Sequence, residues 1–282
     1  MTESWTVLKL LRWTADYFAG RGIDSPRLDA ELLLAETLGL DRVGLYLNFE
    51  RPLLANELAA YRERVRRRAG REPLAYLLGT AEFWSLPLKV TPDVLIPRPD
   101  TELLVEQALQ RVTGPARVLD VGTGSGALAI ALAHERPEWQ VTALDISPRA
   151  LAVAEGNARD NGVAERITLV EGNLIALPSG PFELIVANPP YIPHRELAEL
   201  MPEVRDFEPH LALDGGADGL DAYRALAGQA GRVLTPGGWL LVEVGMGQAP
   251  AVQALFAAAG LTELYNALDL AGIERVVGGR KP

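Results

Sequence analysis

The 282-residue chain reads as an α/β protein, a doubly wound and mainly parallel sheet preceded by a small all-helical domain. Three observations predict this. From residue 115 onward, short apolar, partly β-branched runs alternate with helical stretches, the pattern of a parallel sheet covered on both faces. The first of those runs meets its helix through a glycine-rich turn. The first eighty residues, by contrast, have helix starts and stops and no strand-like runs. The length exceeds the usual single domain, so two unequal units are expected, and a 48% hydrophobic fraction suffices for a sizeable core.

In the amino-terminal part, "SPRLDAELLLAETLG" has Ser25 as a cap, Pro26 at the first helical position and Gly39 as a stop. "NELAAYRERVRRRAG" offers Asn56 as cap and Gly70 as stop. A proline-rich stretch, "EFWSLPLKVTPDVLIPRPDTELL", has β-like runs around Phe83–Leu88 and Val94–Ile96 and reads as a hairpin and linker. Thereafter "ARVLDVG", "QVTALDI", "RITLVEG", "FELIVA" and "WLLVEVG" read as strands. "GALAIALAHER", "SPRALAVAEGNARDNG" (with Ser147 as cap and Pro148 in the first turn), "LDAYRALAGQAGRVL" and "APAVQALFAAAG" read as helices. The tail "LTELYNALDLAGIERVVGG" has room for a terminal strand pair.

Composition excludes several chemistries. Without cysteine there is no disulfide, thiolate nucleophile or Cys-ligated zinc. His134, His194 and His210 show no metal-ligand spacing, so no metal is expected. No apolar run approaches the roughly 20 residues a bilayer demands, and charges break the apolar stretch of "MTESWTVLKLLRW", so a cytoplasmic protein without membrane attachment is expected. The net charge of -10 opposes general nucleic-acid binding.

Two stretches carry chemistry. In "VLDVGTGSGALAIALA", Gly122, Gly124 and Gly126 permit a tight turn and let a ligand approach the main chain, where open α/β sheets bind ligands. Asp145 ends the next strand, about 20 residues on, where a carboxylate accepts hydrogen bonds from ribose hydroxyls. The shared feature is a nucleoside. The loop alone leaves nicotinamide and flavin cofactors open, but Asp120, just before the first glycine, would repel a pyrophosphate. It suits a ligand with a positive end, such as the amino group of S-adenosylmethionine. Ser125 lacks the spacing of a nucleophile elbow.

The second stretch, "NPPY" (Asn188, Pro189, Pro190, Tyr191), follows a buried strand. A planar amide or aromatic amine is a poor nucleophile because its nitrogen lone pair is delocalised. Two acceptors on its two N–H groups can orient that lone pair toward a methyl carbon. The Asn188 side-chain oxygen and the Pro189 carbonyl are such acceptors, the prolines hold them still, and Tyr191 can stack on the planar group.

"DVGTGSG", "ALDIS" and "NPPY" resemble class I S-adenosylmethionine-dependent methyltransferases acting on planar nitrogens. With "REPLAYLLG" (Arg71 to Gly79), "LIPRPDTE" (Leu95 to Glu102) and "EPHLALDGGADGLDAYR" (Glu208 to Arg224), nearly the whole chain resembles the protein release factor glutamine N5-methyltransferases. The resemblance implies a seven-stranded methyltransferase sheet over residues 101–282, a hairpin and linker over 81–100 and a helical substrate-recognition domain over 1–80. It implies S-adenosylmethionine as cofactor and the glutamine of the Gly-Gly-Gln loop of peptide-chain release factors as substrate. By position, Asp120, Gly122, Thr123, Gly124, Ser125, Gly126, Asp145, Ile146 and Asn188 belong to the cofactor site. Asn188 to Tyr191 hold the glutamine amide, and Arg98 and Pro99 join the same mouth.

Related enzymes often place an aspartate and then an aromatic residue after the third strand. Asn173 and Leu174 stand there instead, accepting from the adenine amino group and packing on its ring, with weaker cofactor binding expected. "NPPY" alone is shared with adenine-N6 methyltransferases of nucleic acids, the alternative reading. The arginines of "YRERVRRRAGR" read as a solvated helix face; the sharper alternative makes Arg66 and Arg67 a docking patch for an acidic face of the release factor. His134 reads as a surface residue, and nothing in the sequence orients His194 as a base.

Overall fold

The computed structural model describes residues 5–282. In chain order the elements begin with α1 (Val7–Ala19), α2 (Pro26–Leu38), α3 (Arg42–Leu47), α4 (Ala55–Ala69) and α5 (Leu74–Leu78), then a hairpin of β1 (Thr80–Phe83) and β2 (Leu86–Lys89). There follow α6 (Glu102–Arg111), β3 (Arg117–Val121), α7 (Ala127–Glu135), β4 (Gln140–Asp145), α8 (Pro148–Asp160), β5 (Ile167–Glu171) and β6 (Phe182–Ala187). The chain ends with α9 (Pro202–Phe207), α10 (Asp221–Val233), β7 (Leu234–Glu243), α11 (Ala249–Ala258), β8 (Thr262–Leu268) and β9 (Glu274–Arg280). Two compact units result: the described residues up to Gly79 with Pro202–Phe207, and Thr80–Met201 with Glu208–Pro282.

The first unit is helical and packs around Leu11, Phe18, Leu33, Leu34, Leu45 and Tyr61, all fully buried, with the Tyr61 phenol donating to the Ala30 carbonyl at 3.1 Å. Pro26 opens α2, and Gly39 closes it in the left-handed region; Ser25 holds the cap position but its hydroxyl makes no capping bond. Asn56 is not the cap of α4. The helix begins two residues earlier than that cap implies, at Ala55, because the Glu57 carboxylate accepts from the Leu54 amide at 2.8 Å and leaves Asn56 inside the first turn. The basic face of α4 is balanced locally, Arg66 pairing with Glu63 and Arg67 with Glu72, both at 2.5 Å. Arg68 differs: it is buried, and its guanidinium reaches Asp29 at 2.7 Å and Glu203 of α9 at 3.1 Å.

In the second unit seven strands run in the order β5-β4-β3-β6-β7-β9-β8. Pairings from β5 to β7 are parallel; β9 lies antiparallel between β7 and β8. Successive residues of the central strands serve opposite cores. Val118, Leu184 and Leu241 enter the cluster shared with α6 and α7, while Leu119, Ile185 and Leu240 enter that shared with α10 and α11. That double coverage is why "VLDV" and "LIVA" read as continuous apolar runs. The edge strands β5 and β8 are only partly buried. Ser147 caps α8 by accepting from the Ala150 amide at 3.2 Å. β7 is longer than "WLLVEVG", starting at Leu234, with its register shifting opposite Phe182 and Leu184.

Val94–Ile96 forms no strand. Its amides go elsewhere, Val94 to the Thr91 carbonyl at 3.1 Å and Ile96 to the Glu208 carboxylate at 3.1 Å. The hairpin turns at Trp84 and Ser85, both with positive φ (54° and 57°), the backbone of a tight two-residue connection. Trp84 offsets the strain by donating its amide to Glu102 and its indole N–H to Glu135, each at 2.7 Å.

Removing a buried cation strands its acids, whereas trimming an exposed pair costs little. Arg68→Met is therefore expected to destabilise the chain by about 3–5 kcal/mol. Arg66→Ala should stay within ~0.5 kcal/mol. Urea unfolding of the two variants against wild type measures the contrast.

Candidate active site

β3 lies where the strand order reverses, with β4 on one side and β6 on the other, so the carboxyl ends of these strands open a crevice. A cavity of about 860 Å³ occupies it, lined by Gly122 and Gly124 after β3, Asp145 and Ile146 at the end of β4, Asn173 and Leu174 after β5, and Asn188 and Pro190 after β6.

The glycine turn is clasped to the sheet: the Gly122 and Thr123 amides both donate to the Leu144 carbonyl, at 2.8 and 2.9 Å. Gly122 and Gly124 have φ of 77° and 55°, and a Cβ on either would meet no atom within 4 Å, so the space over them is free for a ligand. Gly126 serves packing instead; a Cβ there would lie 2.9 Å from Ile130 and 3.2 Å from Ala154. Asn157, buried on α8, braces the turn from behind. Its Nδ2 donates to the Ser125 carbonyl at 2.8 Å and to the Lys89 carbonyl at 2.9 Å, and its Oδ1 accepts from the Lys89 amide at 2.7 Å. Asp145 takes the Gly124 amide at 2.8 Å and the Ser147 amide at 2.9 Å, which aims its carboxylate along the cavity wall.

Asp120 does not line the cavity. It lies fully buried beneath the turn, accepting from the Thr123 hydroxyl at 2.6 Å and the Ala129 amide at 3.2 Å, while its Oδ1 meets no donor among the described residues. Burial pushes its carboxyl from the ordinary 3.8 to about 7, against the pull of the Thr123 bond. An orphaned acid oxygen beside an open glycine cradle suits a nucleoside that carries a cationic group. Ile146 is half exposed and Leu174 packs against the core. Asn173 spends its Oδ1 on the Ile175 amide at 2.9 Å, leaving one lone pair and its NH₂ for a ligand.

Asn188 donates its Nδ2 to the Thr101 hydroxyl at 3.0 Å, and that hydroxyl donates to Glu243 at 2.5 Å. Neither Asn188 Oδ1 nor the Pro189 carbonyl meets a donor among the described residues. Tyr191 is held from two sides: its hydroxyl lies 3.5 Å from Glu243, and its carbonyl accepts from Gln248 Nε2 at 2.9 Å. Burial, with the charge of Glu243 next, pushes the Tyr191 phenol up to about 12, so it stays protonated. Glu243 is itself raised to about 7, by burial first and by Asp100 against the Thr101 bond.

"NPPYIPH" and "LALDGG", far apart in sequence, are laced together. Ile192 donates to the Leu213 carbonyl and accepts from Gly215, and His194 donates to the Gly216 carbonyl, at 3.0, 2.9 and 2.8 Å. The glycines are required by contact. A Cβ on Gly215 would lie 2.8 Å from the Tyr191 backbone, and one on Gly219 would lie 2.4 Å from the Tyr191 carbonyl. Asp214 and Gly216 then join the cavity wall. His194, which sequence left without an orienting partner, has one: Nδ1 lies 2.8 Å from Asp214 Oδ2, on an exposed ring. Arg98 stands outside the cavity lining and pairs with Glu208 at 2.6 Å; Pro99 opens the short turn that delivers Thr101.

Sequence reasoning missed Thr101, Glu243, Gln248 and Asn157, whose roles exist only across elements. Among the described residues no cluster of acids and histidines is placed to hold a metal, and no helix is long and apolar enough to cross a membrane.

Comparisons with known proteins bear on this geometry. Residues 9–79 match the model described as the PrmC N-terminal domain, and residues 99–204 that of the methyltransferase small domain. A release factor glutamine methyltransferase of Geobacter sulfurreducens is 53% identical over 279 residues, spanning 99% of this chain and 98% of its own. One of Moorella thermoacetica is 47% identical over 262 residues, spanning 91% and 92%. Among solved structures, a methyltransferase from Pyrococcus furiosus superposes with a TM-score of 0.53 at 19% identity, over 70% of this chain and 89% of its own. A ribosomal protein L11 methylase from Lactobacillus delbrueckii gives 0.50 at 25%, over 66% and 81%. These structures bear on the fold, a methyltransferase sheet. The likeness to the sequence relatives runs almost end to end, and the chain belongs to the release factor glutamine methyltransferase family.

Proposed function

We propose that this chain transfers a methyl group from S-adenosylmethionine to the side-chain nitrogen of the glutamine in the Gly-Gly-Gln motif of peptide-chain release factors. The observation that carries the reading is the Asn188 carboxamide. Its carbonyl meets no donor among the described residues, its nitrogen is engaged behind it, and it lines the same cavity as Gly122, Gly124 and Asp145.

The open space over Gly122 and Gly124 and the carboxylate of Asp145 fit a nucleoside, and Asp120 fits the cationic amino-acid end. When bound, the cofactor supplies an electrophilic methyl on a sulfonium sulfur. Asn188 Oδ1 and the Pro189 carbonyl accept the two N–H groups of the substrate carboxamide, which turns the nitrogen lone pair toward that methyl. Transfer would leave that nitrogen acidic, so its proton could pass to water, and what the chain has to supply is the orientation of the carboxamide by Asn188 and Pro189. No strong base is required, consistent with a Tyr191 held neutral and a His194 standing exposed. A net charge of -10 favours a protein substrate over a polyanionic nucleic acid.

Mass spectrometry of the Gly-Gly-Gln peptide after incubation with enzyme, methyl donor and release factor is expected to find one methyl on the glutamine. Label transferred to duplex DNA instead would overturn the assignment. Asn188→Ala should lower kcat by about 10²–10³-fold, the usual effect of losing one preorganised polar contact, with a melting temperature near wild type. Asp145→Ala should weaken methyl-donor binding roughly tenfold to a hundredfold, read by calorimetry.

Asp120→Asn tests the buried acid. The folded chain raises this carboxyl from 3.8 to about 7, so it binds the proton more tightly than the unfolded chain does. Unfolding free energy should therefore fall as pH rises from about 4 to about 7 and level off above. Glu243, also raised to about 7, gives the same slope, so Asp120→Asn should reduce the decline without abolishing it. The variant should be at least as stable as wild type at pH 8 in unfolding experiments, while binding the methyl donor more weakly.

A further inference from the structure

A carboxamide has two ends of nearly equal size and opposite chemistry. If Asn188 presented its NH₂ to the substrate, donor would face donor and the lone pair would not be steered. Something must decide the flip, and Asn188 itself cannot.

We propose that Glu243 is a positioning residue that, acting through Thr101, fixes which end of the Asn188 carboxamide faces the cavity. The inference rests on the role given to Asn188 above. The chain of hydrogen bonds runs one way. An ionised carboxylate only accepts, so the Thr101 hydroxyl must give its proton to Glu243 Oε2, at 2.5 Å. With that proton committed, Thr101 Oγ1 can only accept, and Asn188 must turn its nitrogen toward it, at 3.0 Å. Oδ1 is left facing the other way. Thr101 and Glu243 are 4% and 3% exposed, so water cannot substitute for either, and low polarity strengthens both bonds. The β-branched Thr101 restricts its own rotamer, and Tyr223 anchors the strand end by donating to the Glu243 carbonyl at 2.9 Å.

Protonation of Glu243 removes the direction. A carboxylic acid can donate to Thr101, whose hydroxyl can then donate to Asn188 Oδ1, and the flipped carboxamide becomes admissible. The groups facing Glu243 are Thr101, the Tyr191 and Tyr223 phenols, Asp100, and Arg275, which pairs with Asp100 at 2.9 Å. Arg275 is the only cation among these, and Asp100 offsets it.

Thr101→Val keeps the shape and removes the relay. It is expected to fold with a lowered melting temperature, because Glu243 loses its close donor, and to lose kcat on the order of tenfold to a hundredfold, with KM for the methyl donor unchanged. Thr101→Ser should recover most of kcat. Wild type is expected to lose kcat on descending through about pH 7, and Glu243→Gln should flatten that acid limb. Wild-type kcat in Thr101→Val, or an unaltered acid limb in Glu243→Gln, would overturn the proposal. Asn188→Ala measured alongside separates the two readings. If it is inactive while Thr101→Val is fully active, only the relay fails; if it is active, the role of Asn188 itself fails.

Discussion

The structure turns on two carbonyl oxygens, Asn188 Oδ1 and the Pro189 main chain, that no donor among the described residues reaches. A polar atom left open at the rim of a core normally collects an amide or a water, and leaving it unpaired costs about 1–3 kcal/mol. Keeping such atoms available requires that their neighbours be unable to turn toward them. Two prolines supply no donors and fix the local φ angles. The nitrogen of Asn188 donates behind it to Thr101, and Gln248 Nε2 donates to the Tyr191 carbonyl. Stiffness here is chemical selectivity: these two donors have obligations elsewhere.

That corner is held by packing of main chain on main chain. The "DGGADG" segment lies so close to Tyr191 that Gly215 and Gly219 have no room for a Cβ, and its amides and carbonyls interleave with those of Ile192 and His194. On the opposite wall the glycines have a different reason. Gly122 and Gly124 sit at positive φ over open space, and Gly126 sits where a helix presses in. The same residue type thus provides close approach of backbone to backbone in one wall, room for a ligand in the other, and helix packing behind it. The reversal of strand order at β3 is what brings the two walls together.

Much of this was legible in the sequence because it is local. Strand, turn and helix around Gly122 follow from neighbouring residues, as do the start and stop of α2 at Pro26 and Gly39. The alternation of Val118 with Leu119 between two cores follows from the period of a strand. What sequence reasoning misread was decided at a distance or by a competitor of equal local merit. Asn56 lost the cap to a helix starting at Ala55 because Glu57 reaches back to Leu54. Val94–Ile96 has strand-like side chains, but the Ile96 amide belongs to Glu208, more than a hundred residues on. The Thr101–Glu243 pair spans 142 residues and carries no local signal at all. Asp120, just before the turn, still belongs to the buried face of β3 and so lies beneath the glycines, outside the cavity lining, a placement that its position in the sequence does not reveal.

The two buried acids show how stability and function are traded in this site. Asp120 and Glu243 are both 3% exposed or less, and burial raises both carboxyls to about 7. Packing alone would be better served by an amide or an apolar residue at either position, since desolvating a charge costs more than one neutral hydrogen bond returns. Each acid is matched to a demand that a neutral side chain meets poorly. Beneath the glycine turn, a carboxylate keeps one oxygen that no donor among the described residues reaches. Behind Asn188, a group that only accepts imposes a direction on two hydroxyl and amide protons, which an amide, able to donate or accept, cannot impose. Both acids therefore stand close to the pH at which they change charge, and the same burial that gives them their effect also sets the acid limit below which that effect is lost.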